Sequence, residues 1–132
     1  DESRNIGRCQ LPEAIWEKKC VSRLFFLEIP RAMRSAYLVN EYGRHDREAL
    51  KESICKIERR MGGLATRNAI EALDQGKLLE TGSILLDYYD RAYEHDLIRR
   101  ESETITRIES ADVNPVVNAD RILACAKNTV LS

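Results

Sequence analysis

The stretch Arg23–Ile29, RLFFLEI, closed by Pro30, constrains this chain more than any other. Leu24, Phe25, Phe26 and Leu27 are consecutive and apolar, so an extended backbone puts large side chains on both faces. That is the pattern of a strand inside a parallel sheet, and the run is too short to favour a helix. No other segment reads so plainly as a strand. A lone internal strand leaves its own N–H and C=O groups unpaired. Its neighbours are therefore expected from another chain or from another part of a larger protein, unless helices cover it in a rearranged fold. Residues 23–29 are accordingly a candidate surface for a homo-oligomer.

Helical periods dominate elsewhere. Residues 12–22 begin with Pro12 at a first helical position, followed by Glu13, and end with Lys18 and Lys19, an order that suits the helix dipole. Residues 31–42 place Met33, Ala36 and Tyr37 on one side. A longer helix is expected from an N-cap at Asp46 to Met61, with Ala49, Leu50, Ile54 and Ile57 as its apolar stripe and Gly62-Gly63 as its stop. Further helices are expected over 66–76, 77–95 and 118–130. Gly82, inside the helix expected over 77–95, signals close packing or a kink. The segment ETITRIES is ambiguous between a short strand and an extended connection, and Asn114-Pro115 reads as a break. The fold class is mainly α: a bundle of about five helices with one strand left from an α/β sheet. The expected division is an α/β edge over 1–45 and a helical subdomain over 46–132.

Composition narrows the function classes. With 43% apolar and 33% charged residues, the chain suits a folded helical domain rather than disorder. No apolar run reaches the roughly 18 residues that span a bilayer, so no membrane partner is expected. The net charge of −1 conceals an uneven spread: residues 1–60 carry 13 Lys/Arg against 10 Asp/Glu, and the remainder 8 against 12. Cys9, Cys20, Cys55 and Cys125 form no close pair, and His45 and His95 are isolated, so no metal is expected. Cys20, Cys55 and Cys125 fall in helical patterns and read as small core residues in a reducing, cytoplasmic setting.

Four segments, in order, carry a resemblance. They are Asp1-Glu2-Ser3-Arg4-Asn5-Ile6-Gly7-Arg8 with Leu11-Pro12-Glu13; Leu27-Glu28-Ile29-Pro30 with Arg34 and Glu41-Tyr42; Arg60-Met61-Gly62-Gly63-Leu64; and Leu85-Leu86-Asp87-Tyr88-Tyr89-Asp90-Arg91-Ala92-Tyr93. Together they resemble the C-terminal part of the P-loop domain of tRNA 2-selenouridine synthases. Tyr37 departs from the pattern, standing where that family's helix would carry a second charged residue. The resemblance implies a longer protein with an N-terminal rhodanese-like domain and a Walker A segment, both absent from this sequence. It also implies an activity: replacement of sulfur by selenium in wobble 2-thiouridine of tRNA, with selenophosphate as donor and substrate. This chain would then be the C-terminal fragment of a transferase, supplying a binding rim and a helical cap without a complete active site or a cofactor of its own.

On that reading DESRNIGR is a loop at the carboxyl edge of the sheet, where ligands of open α/β folds bind. Glu2, Ser3, Arg4, Gly7, Arg8 and Arg34 are the candidate phosphate- or tRNA-binding residues, with no catalytic residue in the segment. Each has an ordinary alternative. Asp1 and Glu2 can be a solvated pair, and Arg4 and Arg8 surface loop residues. Arg31 and Arg34 can be ion pairs on a helix face with Glu28 or Glu41, which is the preferred reading. Arg59 and Arg60 suit the negative end of a helix dipole, Tyr88, Tyr89 and Tyr93 suit core packing, and His95 a helix C-cap. Other functions remain open: a non-catalytic helical module that docks tRNA or a partner subunit, or a nucleotide-kinase-like remnant. The directions of Arg4, Arg8, Arg31 and Arg34 distinguish the first two: convergence on one concave face favours the rim.

Overall fold

A computed structural model describes residues 4–6, 8–100 and 102–130. It opens with a short antiparallel hairpin, β1 (Asn5–Ile6) and β2 (Cys9–Gln10), with Asn5 opposite Gln10 and Ile6 opposite Cys9. Helix α1 (Glu13–Val21) follows, then β3 (Leu24–Glu28), α2 (Arg31–Tyr42), α3 (Arg47–Lys56), α4 (Glu58–Met61), α5 (Gly63–Asp74) and α6 (Leu78–Ile98). The chain ends with β4 (Ile105–Glu109) and α7 (Pro115–Val130).

The mainly helical class is as expected, with seven α-helices among the described residues rather than about five. The strand count differs. β3 is paired within its own chain: β4 runs parallel to it in full register, from Leu24 with Ile105 to Glu28 with Glu109. The ambiguous ETITRIES segment is that partner. Its alternation is weak because Arg107 and Glu109 occupy the exposed side while Ile108 alone is fully buried. The backbone groups of β3 thus need no second chain on that edge.

Local chemistry explains most boundaries. Asp46 caps α3, its side chain accepting the Ala49 N–H at 3.0 Å. The expected helix over 46–61 breaks at Ile57, whose φ of −100° and ψ of 2° leave helical values. Gly62 ends α4 at φ 94°, a left-handed value that favours glycine, but Gly63 already begins α5, earlier than expected. Gly76, at φ 72°, closes α5 in a Schellman motif: Lys77 N–H donates to Ala72 O at 2.8 Å and Gly76 N–H to Leu73 O at 3.0 Å. The break at Asn114-Pro115 is a helix start, since Asn114 Oδ1 accepts the Val116 N–H at 2.9 Å.

The hydrophobic core lies among α3 to α6. Ile54, Met61, Ala69, Leu73, Leu85 and Tyr88 form it, with Tyr42, Leu50, Ile57 and Ile84 packed around. α2 lies against α6, where Gly82 faces Leu38 at ordinary van der Waals distance, so close packing rather than a kink accounts for that glycine. The face that α2 turns inward is Arg34, Leu38, Val39 and Tyr42, not Met33, Ala36 and Tyr37, which are exposed. The ion pairs of Arg34 described below set that rotation. The cysteines also depart from expectation. Cys20 and Cys55 are exposed and Cys125 is half-buried, because each lies beside its helix's apolar stripe rather than on it. No helix among the described residues is long and apolar enough to cross a membrane.

Candidate functional site

Two parallel strands end side by side at Glu28 and Glu109, and helices begin just beyond both. Ligands of open α/β sheets bind at such a carboxyl edge. Ser110 N–H donates to Glu28 O at 3.0 Å, continuing the ladder past β4. Ser110 itself is buried, with its Oγ 2.6 Å from Asn118 Oδ1, and Asn118 Nδ2 donates to Asp112 O at 2.9 Å. This network fixes the 110–114 loop against the first turn of α7. An open cleft lined by Glu28, Pro30, Glu109, Ser110 and Arg121 lies at the edge, and Arg121 Nη1 donates to Glu109 O at 3.1 Å. Glu28 is paired with Arg107, whose guanidinium also sits over the Phe26 ring.

Arg31 and Arg34 stand one helical turn apart at the start of α2, beside the end of β3. Facing them on α6 are Asp87 and Asp90 at the same spacing. Arg34 holds Asp90 through two bonds of 2.5 and 3.1 Å, and its Nε donates to Ile29 O at 3.0 Å. Arg31 reaches Asp87 at 2.6 Å and donates to the Ser83 hydroxyl and carbonyl at 2.9 and 3.0 Å. The hydrogen bond from Arg34 to Asp90 holds the guanidinium pKa above its ordinary value, against the opposing effect of burial. A bidentate arginine that also grips the last carbonyl before Pro30 fixes where the strand stops.

The expected site residues are distributed as follows. Asp1, Glu2, Ser3 and Gly7 lie outside the described residues. Arg4 is half-buried, paired with Glu13 and 5.7 Å from the centre of the Trp16 ring, while its carbonyl accepts the Leu11 N–H at 2.9 Å. Arg8 is exposed between β1 and β2. Arg31 and Arg34 are brought together. Arg4 is held by α1 instead, and among the described residues it shares no ion-pair partner with them. The preferred ion-pair reading of Arg31 and Arg34 is right in kind. The partners are Asp87 and Asp90, whereas Glu28 takes Arg107 and Glu41 takes Arg44. Matching i, i+3 pairs, 31/34 and 87/90, were the signal for this contact. Nothing local in the sequence marks Ser110, Asn118 or Arg121.

The tyrosines divide. Tyr88 is in the core, but Tyr89 and Tyr93 are 42% and 39% exposed and stack with each other at 6.5 Å between ring centres. Burial, then the neighbouring tyrosine, raises the phenol pKa of Tyr42 and of Tyr89. His95 lies in the last turn of α6, as expected of a residue near its C-terminal end, while Arg99 holds the C-cap position; the His95 imidazole faces Asp96 at 3.8 Å. No cluster of three or more metal-ligating side chains occurs among the described residues.

The profile of the family described as "tRNA 2-selenouridine synthase AAA domain" matches residues 1–122. This chain belongs to that family. The tRNA 2-selenouridine synthase of Marinobacter nauticus is 32% identical over 136 aligned positions, covering 81% of this chain and 37% of that protein. The Alcanivorax borkumensis protein of the same name is 26% identical over 148 positions, covering 90% of this chain and 41% of that protein. The chain therefore spans about two fifths of the length of these curated relatives. No solved structure matches it. Within the selenouridine synthase family frame, the Arg34–Asp90 pair joins two of the segments that carried the resemblance.

Proposed function

We propose that this chain is the C-terminal part of an enzyme that replaces sulfur by selenium in the wobble 2-thiouridine of tRNA, taking selenium from selenophosphate. Its family membership carries the reading. The chain's share is the carboxyl edge of a sheet, where Arg121 lines the cleft and would meet a phosphate, with Arg31 and Arg34 beside the end of β3 on the helical cap. The resemblance adds Glu2, Ser3, Arg4, Gly7 and Arg8 as phosphate- or tRNA-binding residues, of which Arg4 is held by Glu13 of α1 and not beside Arg34. A P-loop segment and a rhodanese-like domain in the longer protein supply the phosphate cradle and the reactive cysteine. The enzyme works in the cytoplasm. Arg34 would meet a phosphate only by exchanging Asp90 for it, so Asp90 holds the guanidinium in place until the substrate arrives.

The test is genetic and chemical. Deleting the gene is expected to abolish 2-selenouridine in bulk tRNA while 2-thiouridine remains, as read by nucleoside mass spectrometry. Unchanged 2-selenouridine in the deletion strain would overturn the reading. The alternative, a non-catalytic module that docks tRNA or a partner subunit, is favoured by one observation: both α2 arginines already hold carboxylates. That alternative expects Arg34→Lys to weaken complex formation without altering selenium transfer per bound tRNA.

A further inference from the structure

Cations collect at the other end of the sheet. Lys18 and Lys19 occupy the last turn of α1, Arg23 precedes β3, and Arg99 and Arg100 follow α6. One interaction gathers them: Arg100 donates to Ser22 O at 3.1 Å and to Lys19 O at 3.4 Å. The C-terminal ends of α1 and α6 therefore meet at the start of β3. Cations at a helix C-terminus offset its dipole, and Arg100 does this directly for α1. That role accounts for Arg100, and Lys19 lies over the Trp16 ring, which leaves Lys18, Arg23 and Arg99. Among the described residues, no carboxylate lies within 4.0 Å of Lys18, Arg23, Arg99 or Arg100, whereas Arg4, Arg31, Arg34 and Arg107 all have one. Lys18, Arg23 and Arg99 are exposed, as are Val21 and Ile98 beside them. Glu94 and Asp96 line the same cleft as Lys19, Arg23 and Arg100.

We infer that this amino-terminal edge of the sheet is a second contact surface, binding the phosphate backbone of a folded RNA. The inference rests on the reading that the chain serves a tRNA-modifying enzyme. The charges are spread over two helix ends and a strand start rather than closed around one anion, which suits successive phosphates instead of a free phosphate. Arginine and lysine on mobile stems make such contacts without reading sequence. Two exposed aliphatic side chains give too little apolar area to hold a membrane surface. β3 separates this edge from the carboxyl edge by about 17 Å at the usual strand rise. A mononucleotide cannot touch both ends, and a folded RNA can.

The test measures binding of the 132-residue chain to fluorescently labelled bulk tRNA across a salt series, by anisotropy. Each lost phosphate contact lowers the salt slope by about 0.7–0.9. The triple variant Lys18→Gln/Arg23→Gln/Arg99→Gln is expected to lose about 2 from the slope and about tenfold or more in affinity at low salt. Lys56→Gln/Arg67→Gln/Lys127→Gln removes the same charge elsewhere and is expected to keep the slope. Circular dichroism confirms that both variants remain helical. Equal slopes in the wild type and the first variant would overturn the inference while leaving the proposed enzyme intact. So would equal losses in both variants. Absence of tRNA binding by the wild-type chain, or binding to anionic phosphatidylserine vesicles in preference to tRNA, would also overturn it. The enzymatic reading stands or falls separately on the nucleoside measurement.

Discussion

At the scale of single residues, the Arg34–Asp90 pair decides how α2 sits. Both side chains are about a third exposed, so water screens part of their attraction, but the bonds are bidentate and Arg34 also holds the Ile29 carbonyl. A double-mutant cycle with Arg34→Ala and Asp90→Ala should give a coupling of about 1–2 kcal/mol in urea unfolding. A coupling indistinguishable from zero would mean that the pair leaves α2 unanchored. Tyr42 and Tyr89 make a second prediction. Their phenol pKa values are raised above the ordinary 10.0 by burial. The native state therefore prefers the protonated phenol. Stability from this source is fully present below the unfolded pKa and falls as pH rises through the higher native values. The urea midpoint should stay level up to about pH 9 and drop beyond pH 10, less steeply in Tyr42→Phe. Phenolate absorbance should show at least one tyrosine ionising late.

Helices and strands were legible in the sequence to the extent that their signals were local. Asp46 as N-cap, Pro30 as a strand stop and Gly62 as a helix end are single-residue devices, and each works as read. Gly63 misled because a second glycine usually extends a turn, whereas here α5 starts on it directly. This contrast is testable. Gly62 has a left-handed φ of 94°, so Gly62→Ala should cost about 1 kcal/mol or more despite the open space around it. Gly63 has no such backbone and meets only the Glu58 side chain at 3.8 Å, so Gly63→Ala should be neutral or stabilising by a few tenths of a kcal/mol. Thermal melts of the two variants would separate them; equal behaviour would mean that the turn relaxes. What stayed hidden needed partners distant in the chain. The side that α2 turns inward depends on Asp90, and the strand character of ITRIE appears only once RLFFLEI lies beside it. The site divides in the same way. The family segments pointed to Arg34, while Ser110, Asn118 and Arg121 acquire meaning from the strand ends they surround.

Across the whole molecule, two clusters of buried side chains are evident. One is the helical core around Leu73 and Leu85, and the other is the sheet with Ile108, Ser110 and Asn118. α2 and its arginines link them. Ile108→Ala should remove about 2–4 kcal/mol from the sheet's local stability. Hydrogen exchange should then accelerate in β3 and β4 while α5 keeps its protection. Equal acceleration in α5 would show a single cooperative unit instead. The parallel register has a consequence for biosynthesis. β3 must wait for about 80 further residues to be translated before its neighbour exists, and closing so long an interval is entropically slow. The helices between them can assemble on the ribosome in the meantime, which leaves LFFL uncovered in the nascent polypeptide. That interval is when a chaperone would matter most to this protein.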